Sequence, residues 1–263
     1  RGKFISDFDF SDNDLKTIGY AGIGILSGQD GRINRNSVDG ITALGVDSDG
    51  YGIFLTRNIG VSLAADPFSV RIVVDGNTIR NNPNWTGLDT HAGQDIIFSN
   101  NKIHNCNIGI AAGQDGTDNH APKNISVIGN VINSTKTNGT AREGISFTGS
   151  NNVLGTPYDK ATGSIVDNVI IGYGRDSLSL GTAVLLRDTE SLVVNSNLLI
   201  QSSPYGIMFY HDNFNFTAIG NSFVDTWSNA QTSSFSMYVN SAQYNYGKID
   251  MTSGQTDSKT ATK

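Results

Sequence analysis

The sequence predicts an all-β solenoid, a right-handed parallel β-helix with three short strands per coil. Three observations predict it. A bend centred on asparagine recurs along the chain, a glycine followed by an alternating apolar strand recurs between the bends, and helix-favouring windows are missing. The bend copies are Gly76-Asn77-Thr78-Ile79, Asn100-Asn101-Lys102-Ile103, Gly129-Asn130-Val131-Ile132, Asp167-Asn168-Val169-Ile170, Ser196-Asn197-Leu198-Leu199 and Gly220-Asn221-Ser222-Phe223. Their asparagines are separated by 24, 29, 38, 29 and 24 residues. A variable-length turn of short strands is the mark of stacked coils, each about 4.8 Å above the last. A sandwich or a propeller is the alternative, but a propeller requires a steadier period and its own blade motifs.

Within that frame the elements follow in order. Residues 1–20 hold Phe4, Ile5, Phe8 and Phe10 alternating loosely with acids, a first strand or cap. Residues 21–226 form the solenoid. The glycine-led strands are Tyr51-Gly52-Ile53-Phe54-Leu55, Gly87-Leu88, Gly109-Ile110, Gly144-Ile145-Ser146-Phe147 and Tyr205-Gly206-Ile207-Met208-Phe209, with Ala183-Val184-Leu185-Leu186 in the remaining slot. A third strand precedes most bends, as in Arg71-Ile72-Val73-Val74 and Asp95-Ile96-Ile97-Phe98. Asparagine suits the bend because it tolerates left-handed backbone angles and its amide can bond its copy one coil away. The longer coils carry insertions at 113–123, 134–143, 154–164 and 172–180, expected to collect on one side as a binding face. Residues 227–263 form a polar Ser/Thr/Gln/Asn-rich tail, weakly ordered unless a partner subunit holds it.

Composition narrows the function. A chain of 263 residues with 30 glycines and 5 prolines fits turn-rich β structure. The single cysteine, Cys106, excludes an internal disulfide framework and fits a small buried side chain. No segment has the length of a membrane-spanning helix, and a basic-then-apolar leader pattern is missing at the start, so no membrane insertion is expected. The chain opens in mid-pattern, as a fragment of a longer protein would. A net charge of −6 argues against a nucleic-acid partner. Phosphate-loop, dinucleotide and zinc-ligand motifs are missing.

Aligning the glycine-led strands locates the chemistry. With the residue after glycine pointing inward, the outward positions are Phe54, Asp89, Ala111, Ser146, Leu185 and Met208, then Thr56, His91, Gly113, Thr148, Arg187 and Tyr210. The intervening residues are mostly apolar, as a core requires. Asp89 and His91 therefore stand side by side on the outer face, above a hollow floored by Ala111 and Gly113. Asp115, Asp118, His120, Lys123, Arg142 and Glu143 stand on the surrounding loops, and Arg57 lies one coil below. A mixed-charge groove of this kind suits an extended polar ligand.

The segment Thr86-Gly87-Leu88-Asp89-Thr90-His91, followed by an Ile-rich strand and an Asn bend, resembles the Tyr-Gly-Phe-Asp-Pro-His motif of mannuronan C5-epimerases. Those enzymes are right-handed parallel β-helices of the wider pectate-lyase-like group. The resemblance implies that Asp89 and His91 are catalytic. Thr90 replaces the motif's Pro, and Thr86 replaces the Tyr that handles a proton. The solenoid with loops and a polar tail also resembles phage tailspike depolymerases, which are trimers that cut bacterial surface polysaccharides.

Several expectations follow. The chain binds and degrades a bacterial surface or uronate polysaccharide, by lyase or glycosidase chemistry, as a homotrimer outside the cell or in a virion. The alternatives are a C5-epimerase-like enzyme and a non-catalytic carbohydrate-binding or structural fibre segment. In a lyase or epimerase His91 is the base and Arg57, Arg142 or Arg187 neutralises the substrate carboxylate. In a hydrolase Asp89 pairs with Asp115 or Glu143. The catalytic candidates are thus Asp89, His91, Arg187 and Glu143, and the substrate-binding candidates are Arg57, Trp85, Asp115, His120, Arg142 and Tyr210. Trp85, Tyr173, Tyr205, Tyr210 and Trp227 offer rings for stacking on sugars. Gly-Gln-Asp occurs at Gly28, Gly93 and Gly113; its Asp30, Asp95 and Asp115 are expected to bond local amides, with calcium as the minor alternative. No metal or cofactor is otherwise called for. His104 and the pair His211-Asp212 are expected at the surface.

Overall fold

The computed structural model describes residues 5–42, 49–58, 61–115, 120–135, 141–150, 159–174, 181–202, 205–224, 235–239 and 245–250. All strand pairing among them is parallel, between coils, and the chain is a right-handed parallel β-helix. One sheet of ten strands runs from Ile5–Ser6 to Asn245–Asp250. A second of fourteen strands holds the other two faces, because Thr78–His91 and Lys102–Gly113 each pass through both without a break. Ile, Val, Leu and Phe side chains from all faces fill one continuous interior, with Ile72, Phe98, Ile110, Phe147 and Phe209 fully buried. Burial of about 25 cal/mol per Å² of apolar surface along the axis drives this arrangement.

The asparagine bends form a buried ladder. The Oδ1 of Asn101 accepts from both Nδ2 and backbone N of Asn77, at 3.0 and 2.9 Å, and Asn101 donates in the same way to Asn130. The series continues through Asn168, Asn197 and Asn221. It also starts earlier than the repeat suggested, with Asn13 and Asn36. One expectation is corrected: the left-handed backbone falls on the residue before each asparagine, not on the asparagine. Arg35, Gly76, Asn100, Gly129, Asp167, Ser196 and Gly220 all have positive φ. The asparagine contributes hydrogen bonds, and its predecessor turns the corner.

The glycine-led strands stack in the register the alignment requires up to the fifth coil. Phe54 pairs with Asp89, Asp89 with Ala111, Ala111 with Ser146 and Ser146 with Leu185. Their glycines sit where coils press together: a Cβ at Gly109 would lie 2.4 Å from the Gly144 carbonyl oxygen. Both ends of the chain join the ladder. Asp14–Ile18 pairs with Ser37–Ile41, and past residue 226 Phe235–Val239 pairs with Tyr205–His211 while Asn245–Asp250 pairs with Asn213–Ile219.

Candidate functional site

Asp89 and His91 project from the outer face of Thr78–His91, two residues apart on an extended strand. His91 Nε2 lies 3.0 Å from Asp89 Oδ1. The Asp89 side chain is 3% exposed and that of His91 32%, so the imidazole covers the acid and keeps one edge open. The negative charge of Asp89 holds the His91 pKa above 6.5, against the opposing effect of burial.

Beside the pair opens a cavity of about 410 Å³. Ala111 and Gly113 form its floor, and a Cβ added at Gly113 would meet no atom within 4 Å. Trp85 and Arg142 form one wall, with the guanidinium 5.6 Å from the indole centre. Glu143, two coils beyond Asp89, closes the far side with Arg187. Glu143 is buried and accepts from Arg142 Nε at 2.9 Å. Burial raises its pKa above 4.5 even though Arg142 and the Ser146 hydroxyl pull it down.

The polar atoms of this cavity are unusual within the molecule. Six buried side-chain oxygens or nitrogens among the described residues have no hydrogen-bond partner, and four of them belong to residues of this one cavity: Thr86 Oγ1, Asp89 Oδ1, Gln114 Oε1 and Arg187 Nε. The His91 contact on Asp89 is close without being a well-aligned hydrogen bond. Buried polar groups without partners cost about 1–3 kcal/mol each, and this cavity concentrates four of them.

Of the residues singled out in the sequence, Trp85, Asp89, His91, Arg142, Glu143 and Arg187 line the cavity, and four do not. Arg57 and Asp115 are fully buried and bonded to each other, Nε to Oδ2 at 2.8 Å, so they fasten the loop after Thr56 to the loop after Gly113 and do not face the groove. A desolvated charge needs an opposite charge beside it, and each supplies the other's. His120 packs edge-on against Phe68 and lies 3.9 Å from Asp159, outside the cavity. Tyr210 is displaced because the register slips after Leu186: Arg187 pairs with His211, and the Tyr210 ring lies 5.9 Å from the Arg187 guanidinium.

The other expectations divide in the same way. Tyr173 is fully buried and donates to the Cys106 carbonyl, so it is no stacking platform. Asp30 accepts from Arg71 and from the side-chain amide of the adjacent Gln29, and Asp95 accepts from Asn124. Gly28 and Gly93 precede equivalent positions, since Gln29 and Gln94 both pair with Val70, whereas Gly113 pairs with His91 on another face. The three Gly-Gln-Asp segments are therefore not one motif. Asp118, Asn119 and Trp227 lie outside the described residues.

Sequence reasoning missed Gln114, the orphaned Thr86 hydroxyl and the ring of Tyr51. Tyr51 stacks directly below Thr86, so the ladder extended one coil back would have found it. Burial and the Asp89 charge both raise its pKa, which keeps the phenol protonated.

A second acid–imidazole cluster lies on the same sheet. Asp188, His211 and Asp212 each bring one donor atom within 4.8 Å of the others. Lys160 Nζ already donates to Asp188 Oδ1 at 3.1 Å, His211 Nδ1 lies 2.9 Å from the same oxygen, and Arg187 Nε is 3.6 Å from Oδ2. A calcium ion prefers an all-oxygen shell and would meet an ammonium here, so these donors fit a charge-balanced cluster better than that ion.

No protein-family model and no curated protein matches the chain. Solved structures do resemble it in fold. The catalytic unit of a GH87 α-1,3-glucanase from Streptomyces thermodiastaticus strain HF3-3 superposes with TM-score 0.54 at 12% identity, over 96% of this chain and 50% of that one. A surface adhesin of Streptococcus pneumoniae gives TM-score 0.52 at 13% identity, over 84% and 62%. The mannuronan C-5 epimerase A-module of Azotobacter vinelandii gives 0.49 at 13% identity, over 98% and 75%. This chain thus spans half to about three fifths of the length of the first two, and what it shares with them is the parallel β-helix.

Proposed function

We propose that this chain binds an extended polysaccharide along its outer sheet and hydrolyses it, with Glu143 as the proton donor and Asp89 as the catalytic carboxylate. The observation that carries the proposal is the placement of a buried acid, its pKa raised by burial, and a histidine-capped aspartate on one cavity that also concentrates unpartnered polar atoms. Glu143 gives its proton to the glycosidic oxygen as the C–O bond breaks. Asp89 takes a proton from the attacking water, and His91 fixes the Asp89 carboxyl in place. Their strands are two coils apart, and Glu143 stands in register with Thr86, three residues from Asp89 along the strand.

A second reading has its own observation. Arg142 and Arg187 both line the cavity, an arrangement suited to a uronate carboxylate. Elimination or C5-epimerisation of a uronate polymer would then use His91 as base.

A polymer substrate of this kind is met outside the cell, where the pneumococcal surface adhesin displays the same fold. A trimeric, tailspike-like assembly remains part of the proposal, and light scattering on the full chain reports it. The chemistry is tested by incubating the protein with α-1,3-glucan, polygalacturonate, alginate and a panel of capsular polysaccharides. New reducing ends without ultraviolet absorbance from unsaturated sugars indicate hydrolysis. Absorbance indicates elimination, a changed sugar ratio without shortening indicates epimerisation, and binding without any product indicates the non-catalytic alternative.

A further inference from the structure

Asp89 and His91 have a second side. The coil before them places Phe54 next to Asp89 and Tyr51 next to Thr86. The Phe54 ring lies flat over the preceding coil, where a Cβ at Gly24 would be 2.5 Å from a ring carbon. A side chain at that position would displace the ring, so the lack of one at Gly24 keeps it down. Tyr20 stands edge-on to both, 5.6 Å from Tyr51 and 6.1 Å from Phe54, and 53% of it is exposed. These rings, with Thr56, Asp89 and His91, enclose a smaller cavity of about 80 Å³.

Asp89 and His91 thus form a partition between two cavities of opposite character. One side is aromatic, and the other carries Arg142, Glu143 and Arg187. Pyranose sugars have apolar C–H faces and hydroxyl rims, and aromatic side chains offer large flat surfaces with a polar tip. From Phe54 to Arg187 the sheet climbs four coils, about 19 Å, room for several sugar units in a row.

We infer that the shelf of Tyr20, Tyr51 and Phe54 is a sugar-stacking subsite, and that the polymer crosses Asp89 and His91 with units bound on both sides, so that chains are cut internally. The inference rests on the polysaccharide reading of the larger cavity. An exo-acting site would be closed at one side of its catalytic carboxylate, and here the sheet continues past it into the shelf.

The test uses calorimetric titration of the His91→Ala chain with disaccharides and octasaccharides of α-1,3-glucan, polygalacturonate and alginate. The expected result is tighter binding of the octasaccharide of at least one polymer. Adding Tyr20→Ala then weakens that octasaccharide about three- to tenfold, and Tyr20→Phe restores most of the loss. Undiminished octasaccharide binding in both Tyr20→Ala and a Tyr20→Ala/Phe54→Leu variant of native melting temperature overturns the shelf and leaves the larger cavity's role standing. No binding of any probe by either the His91→Ala or the wild-type chain overturns both. Wild-type digestion that releases only terminal mono- or disaccharides from the outset overturns internal cutting.

Discussion

Two acid–imidazole pairs lie on the same outer sheet at nearly the same distance, Asp89 with His91 at 3.0 Å and Asp188 with His211 at 2.9 Å. Their surroundings separate them. Asp188 is fully buried with Lys160, His211 and Arg187 around it, and its negative charge is met by the chain itself. Each carboxylate keeps one oxygen without a hydrogen bond, but Asp89 has a single imidazole beside it and a hollow floored by Ala111 and Gly113. The contrast teaches that a carboxylate beside a histidine does not make a site. What distinguishes a site is polar capacity left over after the fold has met its own needs, next to space for something else.

The largest expected effect separates the two pairs by readout. His91→Ala frees the Asp89 carboxyl that the imidazole fixes and should lower turnover by about a hundredfold, while the melting temperature stays close to wild type. Asp188→Ala should do the reverse. Taking the Asp188 carboxylate away from the buried Lys160 ammonium costs about 3–5 kcal/mol of stability, seen as a large drop in melting temperature. If Asp188→Ala melts like wild type, the structural assignment of that cluster is wrong.

The Arg57–Asp115 pair extends the comparison to charges that never see the groove. Either single alanine substitution should destabilise by about 3–5 kcal/mol, and Arg57→Met with Asp115→Leu together should recover much of it, because the penalty lies in the orphaned charge. Denaturant midpoints of the two singles and the double decide this. Equal loss in the double and the singles would point instead to lost packing between the two loops.

A smaller effect comes from the bend ladder. Asn101→Ala removes a fully buried amide that bonds the coils on either side, and should cost about 1–3 kcal/mol without touching turnover. Loss of activity in a stably folded Asn101→Ala protein would mean that the site depends on the ladder in a way the contacts do not indicate.

The pH dependence is the subtlest. Folding raises the pKa of both His91 and Glu143, from 6.5 and 4.5, so in both cases the folded chain holds a proton more tightly than the unfolded one. The Glu143 contribution declines as pH rises above 4.5, and the His91 contribution is full below 6.5 and lost as pH climbs through its higher folded value. Thermal stability measured across that range should therefore be flatter in Glu143→Gln at the acid end and in His91→Asn at the upper end. Unchanged slopes in both variants would contradict the shifts.

Much of the fold was legible in the sequence because a solenoid repeats its local rules. The asparagines from Asn77 to Asn221 announced the bends, and alternation in the glycine-led strands placed Asp89 and His91 outside. Asn36 escaped notice because Arg35 stands where the other copies have Gly, Asn, Asp or Ser, yet Arg35 adopts the same left-handed angle. Loops carry no such register. That is why Arg57 and Asp115 could be assigned to the neighbourhood of the groove but not to each other. Tyr210 was misplaced for a related reason, since a one-residue slip after Leu186 changes which side chain stacks on Arg187 and leaves no trace in the pattern.

The most direct test of the account compares reducing-end release by wild type, Asp89→Asn and Glu143→Gln on a polysaccharide that the wild type cleaves. Both substitutions preserve size and remove one ionisable carboxyl. The account predicts new reducing ends from the wild type, at least about a hundredfold less from each variant, and melting temperatures that differ little among the three. Wild-type rates from either variant would contradict it.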